Sequence, residues 1–334
     1  MTFLHDKRPD LVIQPLALTG RCIQLQFASG IRLYDLLVRI KQHPRGPAIQ
    51  SILLDRCIKR LRDLQVMMLD NADRLATRPY SFDTKVVNLL QTLAELLGVP
   101  LRPSVIAELA VMARVWNDFC QIPFRDATPK NIVFGVEALA PIHRPQERNR
   151  CLASVLEMGD QFWEQVPIMD IDFTSTHELT VPEDDVISLL AHNSTVGSLE
   201  GLGCLARGAL LLSPDFEPCT DRRDLAWFVR YLRFGGRKLL YKLLNPRGFA
   251  VRFRYDEPCF YFEQLPKRLS RGFQTQYPMT FALLQDLRDR AEHYRGFLPS
   301  SQAQDHFLSA RGSALLTSNR YWQESPLECQ NHHE

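Results

Sequence analysis

The chain has 334 residues, 45% of them hydrophobic, with 40 lysines and arginines against 38 aspartates and glutamates. This length and composition are typical of an ordinary globular protein that buries a sizeable core in one large or two modest domains. The net charge of +2 does not by itself favour nucleic acid or a membrane as partner. No stretch approaches the roughly 20 apolar residues of a membrane span.

The eight cysteines are scattered, without a C-x-x-C pair or a histidine at metal-ligand spacing. This pattern disfavours both a zinc site and a disulfide framework. Residues 1–10 are polar and lack the apolar segment of an export signal. We therefore expect a soluble, cytoplasmic protein.

Two β-rich runs, residues 11–18 and 21–27, lie on either side of Thr19-Gly20 and predict a hairpin with a tight turn. The next residues, 24–30, end in a glycine and lead into a helical pattern at 31–37. Many folds contain such a strand, turn and helix.

Three amphipathic helices are predicted further along, at about residues 49–70, 84–97 and 103–120. Gly98 and Pro100 end the second helix, and Pro103 opens the third. The third helix leads directly into the most informative loop of the chain.

That loop, residues 124–131, carries Asp126, Pro129 and Asn131. Pro129 fixes its own φ and biases Thr128 away from helix, which predicts a stiff turn. A short strand at 169–173 follows later, and its alternation puts Asp170 and Asp172 on the same face. Aspartate and asparagine near proline are also ordinary turn formers, so the loop alone has a structural explanation.

The D-x-x-P-x-N pattern of this loop, followed by the Asp-Phe strand, resembles the catalytic loop of protein kinases, and most of all the aminoglycoside phosphotransferase and choline kinase group. The resemblance implies an α+β, kinase-like fold with a reduced N-terminal β lobe and a large helical C-lobe. It implies that Asp126 accepts the proton of the attacking hydroxyl. Asn131 and Asp172 would then hold the magnesium that bridges the phosphates of ATP.

The same resemblance suggests residues for the nucleotide. Backbone groups near Gln26 and Ala28 would face adenine, and Lys130 would contact a phosphate. Asp185, in the acidic start of a helix at 186–191, matches the aspartate that braces the catalytic loop in the antibiotic phosphotransferases. As a plain acid at a helix N-terminus it would be equally well placed.

The resemblance divides the chain into a remnant hairpin lobe and hinge at 1–29, a helical C-lobe at 30–315 and a loosely ordered tail at 316–334. Asn131 and Asp172 are further apart in the sequence than in the family, which predicts an insertion near 136–168. The insertion would be either a substrate lid or a decoration without a role.

Residues 222–254 carry ten lysines and arginines against the single acid Asp224. The interleaved apolar residues predict an amphipathic helix pair with a basic exposed face, broken at Gly235-Gly236. Such a face would be a solvated surface, a site for an anionic ligand, or a surface that binds an acidic membrane or nucleic acid.

Several family parts have no counterpart before the hinge: the glycine-rich loop, the strand lysine and its partner glutamate. Phe124 also stands where the family has histidine. The sequence therefore leaves several functions open. The chain would be an ATP-dependent phosphotransferase acting on a hydroxyl of a small molecule, a pseudokinase that binds a partner, or a protein Ser/Thr kinase. A helical scaffold without kinase ancestry is the remaining alternative.

Overall fold

The computed structural model describes residues 6–7, 15–19, 22–25, 30–40, 43–71, 74, 78–79, 81–123, 127–135, 153–170, 178–191, 219–245 and 258–294. Within these ranges the protein is mostly helical with a few short strands, a mixed α+β architecture. No helix among these residues is long and apolar enough to cross a membrane. The predicted tail at 316–334 lies outside the described residues.

The predicted N-terminal hairpin is present. Strand β1 (Pro15–Thr19) pairs antiparallel with β2 (Cys22–Leu25). Thr19 is paired with Cys22, so two residues connect the strands, as in a tight hairpin. The predicted hairpin is therefore confirmed, with strands shorter than the apolar runs.

A three-stranded antiparallel sheet lies near the middle of the described chain. Its strands are β3 (Ile31–Arg32), β6 (Ile132–Phe134) and β7 (Ile168–Asp170), with β6 in the centre. Gly30 precedes β3 with a φ of +154°, and a Cβ there would lie 1.9 Å from the carbonyl oxygen of Phe134. Only glycine fits this approach of two backbones.

A second small sheet contains β4 (Arg78–Pro79), β5 (Ile122–Pro123) and β8 (Glu178–Thr180). Strand β8 lies between the other two, parallel to β4 and antiparallel to β5. The backbone amide of Gln121 adds a 2.9 Å hydrogen bond to the carbonyl oxygen of Thr180.

The three predicted central helices are confirmed. They are α2 (Gly46–Leu69), α3 (Asn88–Leu96) and α4 (Pro103–Phe119), preceded by the shorter α1 (Leu33–Ile40). A π-helical turn, Asp83–Val87, leads into α3. Proline fits the first turn of α4 because no intrahelical acceptor exists for an amide there. The buried faces of these helices contribute to one hydrophobic core that includes Trp116 and Phe228.

The described part of the predicted insertion packs against α2. It contains a helical turn at 153–156 and α5 (Asp160–Gln165). Trp163 is completely buried, and its carbonyl oxygen accepts a 2.6 Å bond from Arg56. Arg45 donates a 2.8 Å bond to the carbonyl oxygen of Met158. These contacts attach residues 153–166 to the helical body.

The C-terminal half of the described chain is helical. Its first elements are α6 (Asp184–Ala191), α7 (Thr220–Tyr231), a π-helical turn (Leu232–Gly236) and α8 (Arg237–Leu244). They are followed by α9 (Cys259–Arg268), α10 (Arg271–Gln276) and α11 (Pro278–Glu292).

The predicted break at Gly235-Gly236 is wrong, because the helix continues through a wider turn. A Cβ on Gly235 would lie 2.5 Å from the Cβ of Tyr261, and one on Gly236 would lie 3.0 Å from Leu89. The two glycines therefore allow α9 and α3 to approach the helix closely. They serve packing and do not end the helix.

Candidate functional site

The predicted loop turns at Thr128–Asn131. The amide of Asn131 donates a 2.9 Å hydrogen bond to the carbonyl oxygen of Thr128, and Pro129 occupies the second position of the turn. Proline favours this position because its φ is already correct. Ala127 and Thr128 are buried, whereas Lys130 and Asn131 are half-buried. The expected stiff turn is present, with these two polar side chains at its end.

The turn is attached to the start of α1. The amide of Tyr34 donates a 2.9 Å hydrogen bond to the carbonyl oxygen of Pro129. The Lys130 Nζ lies 5.1 Å from the centre of the Tyr34 ring, within the range of a cation–π interaction. Sequence reasoning missed Tyr34, since nothing in a strand-turn-helix pattern shows that the helix starts against a loop about 95 residues later.

The other predicted site residues lie outside the described residues. These are Asp126, Asp172, Gln26 and Ala28. Their nearest described neighbours are Ala127, Asp170, Leu25 and Gly30. Among the described residues, no group of three or more His, Cys, Asp or Glu side chains lies together as a metal site.

The two loops with the predicted catalytic residues are joined to paired strands at both of their ends. Residues 124–131 connect β5 to β6, and residues 171–177 connect β7 to β8. Strand β6 pairs with β7, with Ile132 opposite Asp170. Strand β5 pairs with β8, with Pro123 opposite Leu179. The start of each loop therefore lies beside the end of the other.

The three acids that open α6 are buried. Asp184 receives hydrogen bonds from the guanidinium of Arg230 and a 2.9 Å bond from the hydroxyl of Thr180. Glu183 accepts bonds of 2.7 and 2.6 Å from Arg222 Nε. Asp185 is completely buried in the first turn of α6, where it is also an acid at a helix N-terminus.

Burial raises the pKa of Glu183, and the charge of Arg222 opposes that shift. Taking a carboxylate and a guanidinium out of water is costly, and the attraction between them only offsets that cost when the geometry is good. A buried pair of this kind fixes the relative position of two elements more than it adds stability. Here the elements are the start of α6 and the helix α7.

These pairs correct the expectation of a basic exposed face. Arg222, Arg230 and Lys242 are 7%, 1% and 4% exposed, and two of them neutralise the acids of α6. Helical periodicity could not show this, because it identifies the apolar face and not the buried acids that a cation meets. Four other described cations of the segment are half-buried on the same helical stretch, namely Arg223, Arg233, Arg237 and Lys238.

No model of a known protein family matches the chain, and neither a curated protein nor a solved structure is significantly similar to it.

Proposed function

We propose that the protein is an ATP-dependent phosphotransferase with a kinase-like fold, which moves the γ-phosphoryl group to a hydroxyl of a small molecule. The observation that carries the proposal is the double pairing of β5 with β8 and of β6 with β7. Because of this pairing, the segments 124–131 and 171–177 each have a paired strand at both ends. Each of these two segments contains one of the two aspartates predicted for the site, Asp126 as the base and Asp172 as a metal ligand.

The register supports convergence of the metal ligands. Asn131 directly precedes Ile132, which is opposite Asp170, and Asp172 follows Asp170 by two residues. Two residues span at most about 7 Å. Carboxamide and carboxylate side chains both supply the oxygen ligands that magnesium prefers. When bound, the ion neutralises charge on the transferring phosphoryl group.

The chain's own residues would divide the remaining chemistry. Asp126 takes the proton from the acceptor hydroxyl while that oxygen bonds to the γ-phosphorus and the bond to the ADP oxygen breaks. Lys130, oriented by the Tyr34 ring, contributes positive charge near the phosphates. Backbone groups at Gln26 and Ala28 contact adenine, and buried Asp185 supports the loop from the start of α6.

A second candidate is a binding protein derived from a kinase. The observation in its favour is that the strands described before Gly30 form only a two-stranded sheet. Such a hairpin offers little backbone to surround the phosphates. This protein would bind a nucleotide or a partner without phosphoryl transfer. A protein Ser/Thr kinase is a further alternative, in which the acceptor hydroxyl belongs to a polypeptide.

Calorimetric titration with Mg·ATP tests the proposal. We expect the wild type to bind and Asp172→Ala to bind at least about tenfold more weakly, which is about 1.4 kcal/mol. Asp286→Ala is the matched control, since Asp286 is exposed on α11. If the folded wild type did not bind Mg·ATP, the protein would not be an ATP-dependent phosphotransferase.

Release of ADP then separates the two candidates. The phosphotransferase releases ADP from Mg·ATP, slowly with water as the acceptor, and Asp126→Asn reduces the rate. The binding protein gives the same background rate in both forms.

A further inference from the structure

We infer that Arg230 is a positioning residue that, through Asp184 and Thr180, aligns β8 with β5, the two strands to which the loops of the proposed site are joined. The importance of this alignment for catalysis rests on the proposed function, whereas the mechanical link itself does not. The link runs from α7 to α6, from α6 to β8 and from β8 to β5. Each step is a hydrogen bond or a strand pairing.

The first step is the buried pair of Arg230 with Asp184. Both side chains are almost fully buried, at 1% and 2% exposure. Arg230 Nε donates to Asp184 Oδ1, and Nη2 donates to Oδ2 at 2.5 Å. Two parallel bonds between a planar guanidinium and a carboxylate fix orientation as well as distance. Asp184 therefore has one defined position relative to α7.

The second step joins Asp184 to the sheet. The hydroxyl of Thr180 donates a 2.9 Å bond to Asp184 Oδ2, and Thr180 is completely buried. A hydroxyl has a single proton to donate, so this bond commits Thr180 to Asp184. Thr180 is also the residue of β8 that pairs with Ile122 of β5, and its carbonyl oxygen accepts from Gln121.

The third step is the position of β5 and β8 relative to the loops. Residues 124–131 leave β5, and residues 171–177 enter β8. A shift of Thr180 relative to α7 would therefore move Pro123 and Glu178, the strand ends to which the two loops are joined. Asp184 was assigned no role from the sequence. The signal was present in the adjacent acids at 183–185 and the excess of cations in 222–254, whose complementary charges call for pairing.

Arg222 provides a matched comparison on the same helix. It forms a buried pair with the neighbouring acid, Glu183, at 8% and 5% exposure. Removing either arginine leaves a buried carboxylate without its cation, a large perturbation in both cases. Only the Arg230 pair includes the carboxylate that the Thr180 hydroxyl bonds.

Amide hydrogen exchange without nucleotide tests the link. In Arg230→Met we expect amide exchange at Gln121 and across 127–131 to be at least about tenfold faster than in Arg222→Met. The rates are first normalised to those of the α11 amides, which serve as the reference for global opening. Arg230→Lys retains the charge but not the two parallel bonds, so it should give an intermediate rate, and it replaces the methionine variant if that does not fold.

Equal acceleration in Arg230→Met and Arg222→Met, or no change at 121–131, would overturn the inference. Because the measurement uses no ATP, its failure is distinct from failure of the proposed function, which the Mg·ATP titration reports separately.

Discussion

The amine of Lys130 lies 5.1 Å from the centre of the Tyr34 ring, and the backbone amide of Tyr34 bonds to the carbonyl oxygen of Pro129. One residue of α1 therefore holds both the backbone of the candidate turn and its cationic side chain. The two contacts can be separated experimentally, since side-chain substitutions at Tyr34 leave the backbone bond in place.

Replacement of Tyr34 by alanine should weaken Mg·ATP binding by about 2–5-fold, because a partly exposed cation–π contact contributes about 0.5–1 kcal/mol. Tyr34→Phe retains a ring face and should bind as the wild type does. Calorimetric titration gives both affinities. Equal affinity of the alanine and phenylalanine variants would show that the ring does not orient Lys130 toward the nucleotide.

Glu108 of α4 connects the centre of the fold to α11, the last helix of the described residues. Its carboxylate accepts bonds of 3.0 and 2.7 Å from the backbone amides of Met279 and Thr280, in the first turn of α11. Glu108→Ala leaves these amides without that acceptor and should lower the free energy of unfolding by about 1–3 kcal/mol. Urea unfolding measures the change. Glu95 is exposed on α3, and Glu95→Ala should change the free energy of unfolding by less than about 0.5 kcal/mol. Equal losses in Glu95→Ala and Glu108→Ala would contradict the capping role of Glu108.

Gly235 should not tolerate a side chain. An alanine Cβ there would overlap the Cβ of Tyr261 at 2.5 Å, so the π-helical turn that contains Gly235 must move away from α9. We expect Gly235→Ala to cost about 1–3 kcal/mol in thermal or urea unfolding. Gly159→Ala, where no atom lies within 4 Å, should cost less than about 1 kcal/mol, the usual preference for glycine over alanine before a helix. Similar losses in both would mean that close packing does not explain Gly235.

The pH dependence of stability should carry the signature of Asp224. Burial raises the pKa of Asp224, against the hydrogen bond from Ser270 and the charge of Arg223. The folded state then holds this proton more tightly than the unfolded state does. The contribution of Asp224 to the free energy of unfolding is fully present at pH values below 3.8, the ordinary pKa of an aspartate. This contribution is lost as the pH rises through the raised pKa of the folded state.

Asp224→Asn removes the titration and keeps an acceptor for Ser270. Its free energy of unfolding should therefore fall less steeply than that of the wild type as the pH rises from about 4 towards neutrality. Asp286→Asn, on the exposed face of α11, is the control substitution. If the free energy of unfolding of Asp224→Asn fell more steeply with pH than that of the wild type, the pKa of Asp224 would not be raised in the folded state.

Local patterns in the sequence predicted those elements that local physics determines. Apolar periodicity located α2, α3 and α4 to within a few residues, and the β-rich runs around Thr19-Gly20 gave the hairpin. Pro129 predicted the turn because its φ is fixed by covalent geometry. For these elements, neighbours in the chain supply most of the determining contacts.

The failures concern contacts between distant segments. In the sequence Gly235 resembled a helix breaker, because its packing contact with Tyr261 is not visible there. Arg230 likewise resembled a surface cation, because its pairing with Asp184 is not visible in the sequence. The packing of 153–166 on α2 depends on Arg45 and Arg56, about 107 residues or more earlier. A helical period specifies which face is apolar, but not which polar partner a buried charge meets.

The proposed function requires that Asn131 and Asp172 hold one divalent cation together with ATP. Electron paramagnetic resonance of manganese, which substitutes for magnesium, measures this directly when Mn²⁺ is titrated into protein with ATP present. We predict that Asn131→Ala and Asp172→Ala each weaken protein-bound Mn²⁺·ATP by at least about tenfold relative to Asp286→Ala. If both variants bound Mn²⁺·ATP as tightly as Asp286→Ala does, Asn131 and Asp172 would not be ligands of the cation.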